Sequence, residues 1–178
     1  MLASRKSQAA DLEAMAEIAS EGKAFLKSCG VSQWQKGTYP CADDFARDID
    51  LGIGYVVEEN GKVVACCAVT SEDEPAYHGL TNGSWRTPPK ARYATIHRCA
   101  VRGECRGRDI IRFLFDSVAE MASQEGLASV RVDTHPDNKP MQRALEKAGF
   151  VRCGNLILVS GAEKGDGRLG YERVVVGV

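Results

Sequence analysis

The sequence lacks several features that would place it at once in a familiar class of protein. It has no apolar run near the roughly 18 to 20 residues that a membrane helix requires, so no membrane partner is expected. Its formal net charge of −1 gives no overall attraction for nucleic acid. A bound anion would therefore have to be held by a local arrangement of residues.

The common phosphate, zinc and export signals are also missing. No G-x-G-x-x-G stretch opens a predicted helix, G-x-x-x-x-G-K-[ST] does not occur, and the seven cysteines include no C-x-x-C pair. Cys66, Cys67 and Cys99 lie in apolar runs, where cysteine behaves as a small buried hydrophobe. Reduced thiols and the lack of an apolar signal core predict a cytoplasmic protein. The spacing H-x-C of His97 and Cys99, without a second pair, argues against a metal site.

What the sequence does contain is ordinary for a globular chain. Its 178 residues suffice for one well-packed domain, and 44% of them are hydrophobic. No repeat, low-complexity segment or linker divides them. We therefore expect a single domain over 1–178.

Hydrophobic periodicity predicts an alternation of helices and strands. Helices are predicted over 8–29, 43–51, 110–126 and 137–148, the last of them capped by Asp137. Strands are predicted over 54–59, 62–69, 92–101, 128–134, 150–159 and 168–176, with Asn60-Gly61 as a tight hairpin turn. A strand before Leu12 is left open, because Ser4-Arg5-Lys6-Ser7 has no apolar alternation. The order indicates an α/β (α+β) fold, with a mixed, mostly antiparallel sheet flanked by about four helices.

The stretch C-R-G-R-D-I-I, Cys105 to Ile111, lies between a predicted strand and a predicted helix. The first turn of a helix leaves backbone N–H groups without partners and carries a partial positive charge. Arg106 and Arg108 flank Gly107 there and add cationic reach. The stretch is therefore a candidate anion cradle, although surface loops with two arginines are common.

The neighbouring stretches are T-I-H-R-C-A-V before this loop and V-R-V-D-T-H-P-D-N-K-P-M-Q-R-A-L-E-K-A-G-F after it. Together with the loop they resemble the central half of the GNAT superfamily of acyl-CoA-dependent N-acetyltransferases. The resemblance implies acetyl-CoA as co-substrate, no metal, and transfer of an acetyl group to a primary amine. With a near-neutral chain, a small-molecule acceptor is favoured over nucleic acid, and a homodimer is left open.

The resemblance also implies roles for individual residues. Cys99, Ala100 and Val101 match the strand whose backbone pairs with the pantetheine arm, where one amide can stabilise an oxyanion. The pyrophosphate loop is matched by Arg106, Gly107, Arg108, Asp109, Ile110 and Ile111. Asn138 matches an asparagine near the thiol end of the donor.

Three residues depart from the family pattern: Asp109 and Ile111 replace small residues, and Leu145 replaces a tyrosine that protonates the leaving thiolate. A carboxylate about 4 Å from a phosphate charge would cost roughly 4 kcal/mol at an effective dielectric near 20 and about 1 kcal/mol in water. Alternatively, the Asp109 side chain points sideways toward Arg106, Arg108 or Arg112 and leaves the amides free. The alternative function is a degenerate, non-catalytic GNAT-fold protein that binds CoA or is structural.

His97 and His135 are the candidate catalytic bases. Strand alternation places His97 on one face with Cys99 and Val101, and an imidazole with an ordinary pKa suits removal of a proton near neutral pH. His135 follows the next strand, where it is equally plausible as a turn residue. Cys99 or Cys105 as an acyl-carrying nucleophile is the less favoured route.

Overall fold

The computed structural model describes residues 1–175 and contains one seven-stranded sheet and four α-helices. The strands are β1 (Leu2–Lys6), β2 (Gly54–Glu59), β3 (Lys62–Thr70), β4 (Tyr93–Val101), β5 (Ser129–Thr134), β6 (Val151–Ile157) and β7 (Gly167–Val174). The helices are α1 (Leu12–Ser28), α2 (Ala42–Asp50), α3 (Ile110–Gln124) and α4 (Lys139–Lys147). The strand order across the sheet is β1-β2-β3-β4-β5-β7-β6.

The sheet is mixed, as the sequence predicted. β4 and β5 pair in parallel, whereas β1 with β2, β2 with β3, β5 with β7 and β6 with β7 pair antiparallel. The predicted fold class is therefore confirmed. The last residue of the final predicted strand, Val176, lies outside the described residues.

The strand left open before Leu12 is present as β1. It pairs with β2 from Leu2↔Glu59 to Lys6↔Tyr55, and Arg5 donates to both carboxylate oxygens of Asp11 at 2.7 and 2.9 Å. Arg5 also contacts Glu58 on the neighbouring strand. Backbone pairing at a sheet edge and these ion pairs hold the strand, so apolar alternation is not required.

The cap of α4 differs from the prediction by one residue. Asn138, not Asp137, is the N-cap, and its Oδ1 accepts a hydrogen bond from the Met141 N–H at 3.2 Å. Asn138 is buried, with 5% of its surface exposed. Its side chain therefore has a structural task at the start of the helix.

The chain forms two compact units, and the division falls within β4 and within α3. The first unit comprises 1–69 and 96–114; the second comprises 70–95 and the chain from 115 onward. In the first unit, Met15 and Ile18 of α1 and Phe45 of α2 are completely buried in one hydrophobic cluster. Trp34, from the segment that connects the two helices, is buried in the same cluster. Trp34 is thus a core residue of this unit.

In the second unit, the long segment between β3 and β4 is fixed by a buried carboxylate. Glu172 of β7 accepts hydrogen bonds from the Thr87 and Ser129 hydroxyls, each at 2.6 Å, and from Arg131 Nε at 2.9 Å. The Arg131 guanidinium lies against the rings of Trp85 and Tyr93, 4.3 and 3.9 Å from their centroids. The segment between β3 and β4 is therefore pinned to the sheet by charge and aromatic contacts.

We predict that Glu172→Gln destabilises the protein by about 3 kcal/mol, because it leaves the buried Arg131 charge without its counter-ion. Burial alone would raise the pKa of Glu172, but the hydrogen bonds from Ser129, Thr87 and Arg131 lower it below its usual value. Glu172 is therefore ionised in the folded protein, and glutamine replaces a negative charge with a neutral amide. Urea unfolding measures the change. Glu125→Gln, at an exposed carboxylate, should have little effect, and equal losses for both variants would contradict the network.

Candidate active site

The loop between β4 and α3 takes a conformation that explains its unusual aspartate. Gly107 has φ of +80° and Asp109 has φ of +54°, and α3 begins at the next residue, Ile110. Glycine enters this left-handed region freely, and among other residues Asp and Asn enter it most readily. Asp109 therefore keeps a backbone conformation that glycine usually provides.

The start of α3 offers backbone donors beside this loop. The first hydrogen bond of the helix runs from the Phe113 N–H to the Asp109 carbonyl at 2.9 Å. The N–H groups of Ile110 and Ile111 precede that bond, so no intrahelical carbonyl accepts from them. The side chain of Ile110 is buried and fixes this end of the helix. The backbone arrangement suits an anion, in agreement with the sequence.

Both loop arginines are already in contact with the protein. Arg106 packs over the Phe25 ring at 4.4 Å and donates to the Glu21 carbonyl at 3.1 Å. Arg108 binds both oxygens of Glu59 at 2.7 and 2.9 Å. A phosphate would have to compete with these partners. The Arg108 pair is exposed enough to exchange readily, whereas Arg106 is held on two sides.

Strand β4 carries an irregularity between His97 and Cys99. Arg98 has φ of +51°, and its guanidinium donates to both oxygens of the buried Asp48 on α2 at 2.8 and 2.6 Å. Strict alternation requires continuous extended backbone. The left-handed conformation of Arg98 therefore interrupts the alternation that predicts His97, Cys99 and Val101 on one face.

The predicted pantetheine residues lie at the end of β4, in the same unit as the loop. The parallel pairing of β4 with β5 covers Tyr93, Ala94 and Thr95. Cys99, Ala100 and Val101 follow beyond that stretch; Ala100 is buried, and Cys99 and Val101 are half-buried.

His97 does not have the ordinary imidazole pKa that the sequence argument assumed. Burial lowers its pKa to about 4, and the neighbouring Arg98 charge adds to the effect. The ring is therefore neutral at pH 7. It can accept a proton, but as a weaker base than an unperturbed histidine.

His135 forms the turn that leads into α4. Its Nδ1 accepts from the Asp137 N–H at 3.1 Å, and its carbonyl accepts from the Asn138 N–H at 2.9 Å. An accepting Nδ1 implies that a neutral ring carries its hydrogen on Nε2. His135 thus has the turn role that the sequence left open. In this tautomer Nε2 is a hydrogen-bond donor and not a basic lone pair.

Sequence reasoning missed a carboxylate on β5. Asp133 alternates with Val130 and Val132, which assigns it to a polar strand face, yet its side chain is only 16% exposed. The Tyr77 hydroxyl donates to it at 3.0 Å, and Arg168 Nε lies 3.6 Å away. Arg168 also donates to Glu163 at 2.8 Å, so two carboxylates share one buried guanidinium.

The environment of Asp133 shifts its titration toward neutrality. Burial raises the pKa of its carboxyl to about 6, opposed by Arg168 and Tyr77 and supported by Glu74 and Glu163. A carboxylate whose pKa lies near the working pH is a candidate general base. Its position at the end of a strand was a signal available in the sequence, but the shared arginine, 35 residues away, was not.

Leu145 is completely buried, so it fills the core of the second unit. Tyr77 and Trp85 pack together with ring centroids 5.1 Å apart, which pins their segment to the protein. Among residues 1–175, no group of three or more His, Cys, Asp or Glu side chains is placed to hold a metal ion.

We predict that His97 makes folding weaker in acid. The unfolded chain has a His97 pKa near 6.5, against about 4 in the folded chain, so it binds more protons between these values. The stabilisation is fully present above pH 6.5 and is lost as the pH falls toward 4, by up to about 3 kcal/mol. Urea unfolding at pH 7, 5.5 and 4.5 should show a smaller pH slope for His97→Gln than for the unmodified protein.

His78 provides the control for this measurement, because it lies in an exposed loop against Asp73. Asp133 titrates in the same window with the opposite sign, but it is present in every variant and cancels in the comparison. Identical slopes for His97→Gln and the unmodified protein would contradict the buried, neutral ring.

Comparisons with known proteins agree with this geometry. The model of the acetyltransferase (GNAT) family matches residues 14–150. A GNAT-family acetyltransferase from Streptococcus agalactiae is 28% identical, with a TM-score of 0.86 over 97% of this chain and 95% of that chain. None of the curated proteins matches the chain.

More distant solved structures share the fold. Spermidine N-acetyltransferase from Vibrio cholerae, in complex with CoA and spermine, is 14% identical with a TM-score of 0.66 over 98% of this chain and 95% of that one. Ribosomal-protein-S18-alanine N-acetyltransferase from Escherichia coli is 14% identical with a TM-score of 0.66 over 100% and 96%. No helix within residues 1–175 has the length and apolarity to cross a membrane. The family model spans well over half of the sequence, and the chain therefore belongs to the GNAT family of acetyltransferases.

Proposed function

We propose that this protein transfers an acetyl group from acetyl-CoA to the primary amine of a small molecule. The observation that carries the proposal is the loop 105–111, in which Gly107 and Asp109 adopt left-handed conformations directly before α3. Family membership supplies the reaction class. The near-neutral chain favours a small acceptor over a polyanion.

The donor would be held mainly by backbone groups of the first unit. The N–H groups at the start of α3 would bind the pyrophosphate, with Arg108 exchanging Glu59 for a phosphate oxygen. The backbone of Cys99, Ala100 and Val101 would pair with the pantetheine arm. One amide there would stabilise the charge that develops on the thioester oxygen.

The reaction itself requires a base and a proton for the leaving group. The neutral amine attacks the thioester carbonyl, a C–N bond forms, and the C–S bond breaks as the tetrahedral intermediate collapses. The base takes the proton lost by the amine, and the CoA thiolate takes up a proton to leave as a thiol. Because Leu145 is buried and apolar, that proton must come from elsewhere. His135 with its hydrogen on Nε2 would donate a hydrogen bond to the departing thiolate, and solvent would supply the proton.

Two residues are candidates for the base: His97, which follows from the sequence, and Asp133, which follows from the structure. The sequence also offers His135, but its Nδ1 accepts a backbone hydrogen bond, so it is not retained as a base. The pKa of about 6 at Asp133 matches neutral-pH chemistry better than the value of about 4 at His97. We therefore place Asp133 first, with Tyr77 and Arg168 holding its carboxylate in position.

The pH dependence of kcat/KM separates these candidates. If Asp133 is the base, the rate rises with pH around 6, and Asp133→Asn removes that rise and lowers kcat by about 100-fold or more. If His97 is the base, the corresponding rise lies near pH 4 and disappears in His97→Ala. The profile is measured by acetyl-CoA-dependent thiol release with the best amine from a screened panel. Profiles unchanged in both variants would refute both residues.

The alternative is a non-catalytic member of the family. Two observations favour it: the buried Leu145, and the engagement of Arg106 and Arg108 with protein groups. Titration calorimetry with acetyl-CoA distinguishes the two functions. Micromolar binding without turnover on any amine would support the alternative, and no binding at millimolar acetyl-CoA would sink the enzyme proposal.

Substitutions at Asp109 separate its charge from its backbone conformation. Asp109→Asn removes the charge and keeps a residue that tolerates positive φ, and Asp109→Gly removes both the charge and the side chain. Both should tighten acetyl-CoA binding by about fivefold, from a repulsion of about 1 kcal/mol in water. Asp109→Ala removes the charge but strains the loop, so it should destabilise the protein by about 1 kcal/mol. Equal affinities for the unmodified protein and for the Asp109→Asn and Asp109→Gly variants would show that the carboxylate does not repel the donor.

A further inference from the structure

The first unit contains an open cavity of about 430 Å³ between α1, the segment that follows it, and the start of α2. Its size lies within the range of small-ligand sites. Small side chains on α1 leave the space open. The lining residues are Ala16, Ser20, Lys23, Ala24, Lys27, Gln35, Thr38, Pro40, Cys41 and Ala42.

The charge of this lining has one sign. Within residues 1–175, the ionised side chains that line the cavity are Lys23 and Lys27, and no Asp or Glu of that range belongs to the lining. Two acidic residues of α1 contact the β4–α3 connection: Glu17 pairs with Arg102 at 3.2 Å, and Glu21 accepts from the Gly103 N–H. The lining therefore carries two positive charges.

Lys23 is fixed at the cavity wall, whereas Lys27 is exposed. Lys23 Nζ donates to the Thr38 carbonyl at 2.8 Å, and Gln35 in turn donates to the Lys23 carbonyl at 3.0 Å. These bonds join α1 to the segment that forms the opposite wall of the cavity. An ammonium group has three donors, so Lys23 retains two for a ligand.

The same wall reaches the candidate catalytic strand. Thr38 and Pro40 line the cavity, and between them Tyr39 accepts a hydrogen bond from Arg98 Nη1 at 3.4 Å. Arg98 lies between His97 and Cys99 on β4. A ligand in the cavity therefore lies against the segment that contacts the strand proposed to hold the donor.

We propose that this cavity binds an anionic group, a carboxylate or a phosphate, carried by the acceptor. The acceptor is then a small molecule with an amine at one end and a negative charge at the other. Lys23 and Lys27 bind the charge and leave the amine free to react. This assignment rests on the proposed acetyl transfer for the identity of the ligand as acceptor, but anion binding itself does not depend on it.

Anion binding is tested first without acetyl-CoA. Succinate and inorganic phosphate, which distinguish the two anion chemistries, are titrated against the full chain at low salt and followed by NMR chemical shifts. Lys23→Gln and Lys27→Gln should each weaken binding by about fivefold, and the double variant should abolish it. Lys164→Gln, an exposed lysine of the second unit, should leave it unchanged. Absence of binding of both anions, or equal binding by the double variant, overturns the anion site.

The acceptor assignment is tested with two amines that differ only in a carboxylate, 4-aminobutyrate and n-butylamine. The unmodified protein should show a KM about tenfold lower for 4-aminobutyrate than for n-butylamine. Lys23→Gln/Lys27→Gln should raise the KM for 4-aminobutyrate to that for n-butylamine, whereas Lys164→Gln should keep the difference. Equal KM values in the unmodified protein overturn the assignment. If acetyl-CoA does not bind or turn over while succinate still shifts the cavity signals, the proposed function fails and the anion site stands.

Discussion

The bidentate pair between Asp48 and Arg98 fixes the part of the molecule to which the proposed function assigns donor binding. Asp48 is 2% exposed, so its carboxylate requires a close counter-ion, and the fork geometry of Arg98 provides one. The pair joins α2 to β4 and supports the left-handed backbone at Arg98. Arg98 also holds Tyr39 and, with it, the cavity wall. One buried ion pair thus supports the irregularity of β4, the position of α2 and the wall of the cavity.

Features specified by neighbouring residues were predictable from the sequence. Asn60-Gly61 takes positive φ at both residues, 52° and 78°, as a tight hairpin between β2 and β3 requires. The helices follow their apolar periodicity and end near Gly30, Gly52, Gly126 and Gly149, all of which have positive φ. These elements need no distant partner, so their patterns can be interpreted locally.

Features that depend on partners distant in the sequence were not predictable. β1 is held by Arg5 with Asp11 and Glu58, the last 53 residues away. The perturbed carboxylate of Asp133 requires Tyr77 and Arg168, which come from different segments. Burial and the neighbouring positive charge of Arg98 also lower the pKa of His97 below the ordinary value that the sequence predicts. Periodicity reports which face of an element is apolar, but it does not report which charged groups meet.

The left-handed conformation of Asp109 has an evolutionary consequence. Asparagine and glycine are each one nucleotide away from aspartate in the genetic code, and both tolerate this backbone conformation. A lineage can therefore add or remove a negative charge at the mouth of the anion loop without rebuilding the loop or the helix behind it. Donor affinity can therefore change at this position while the fold is preserved. The charge of this one residue says little about ancestry, but it directly affects how strongly the loop attracts an anion.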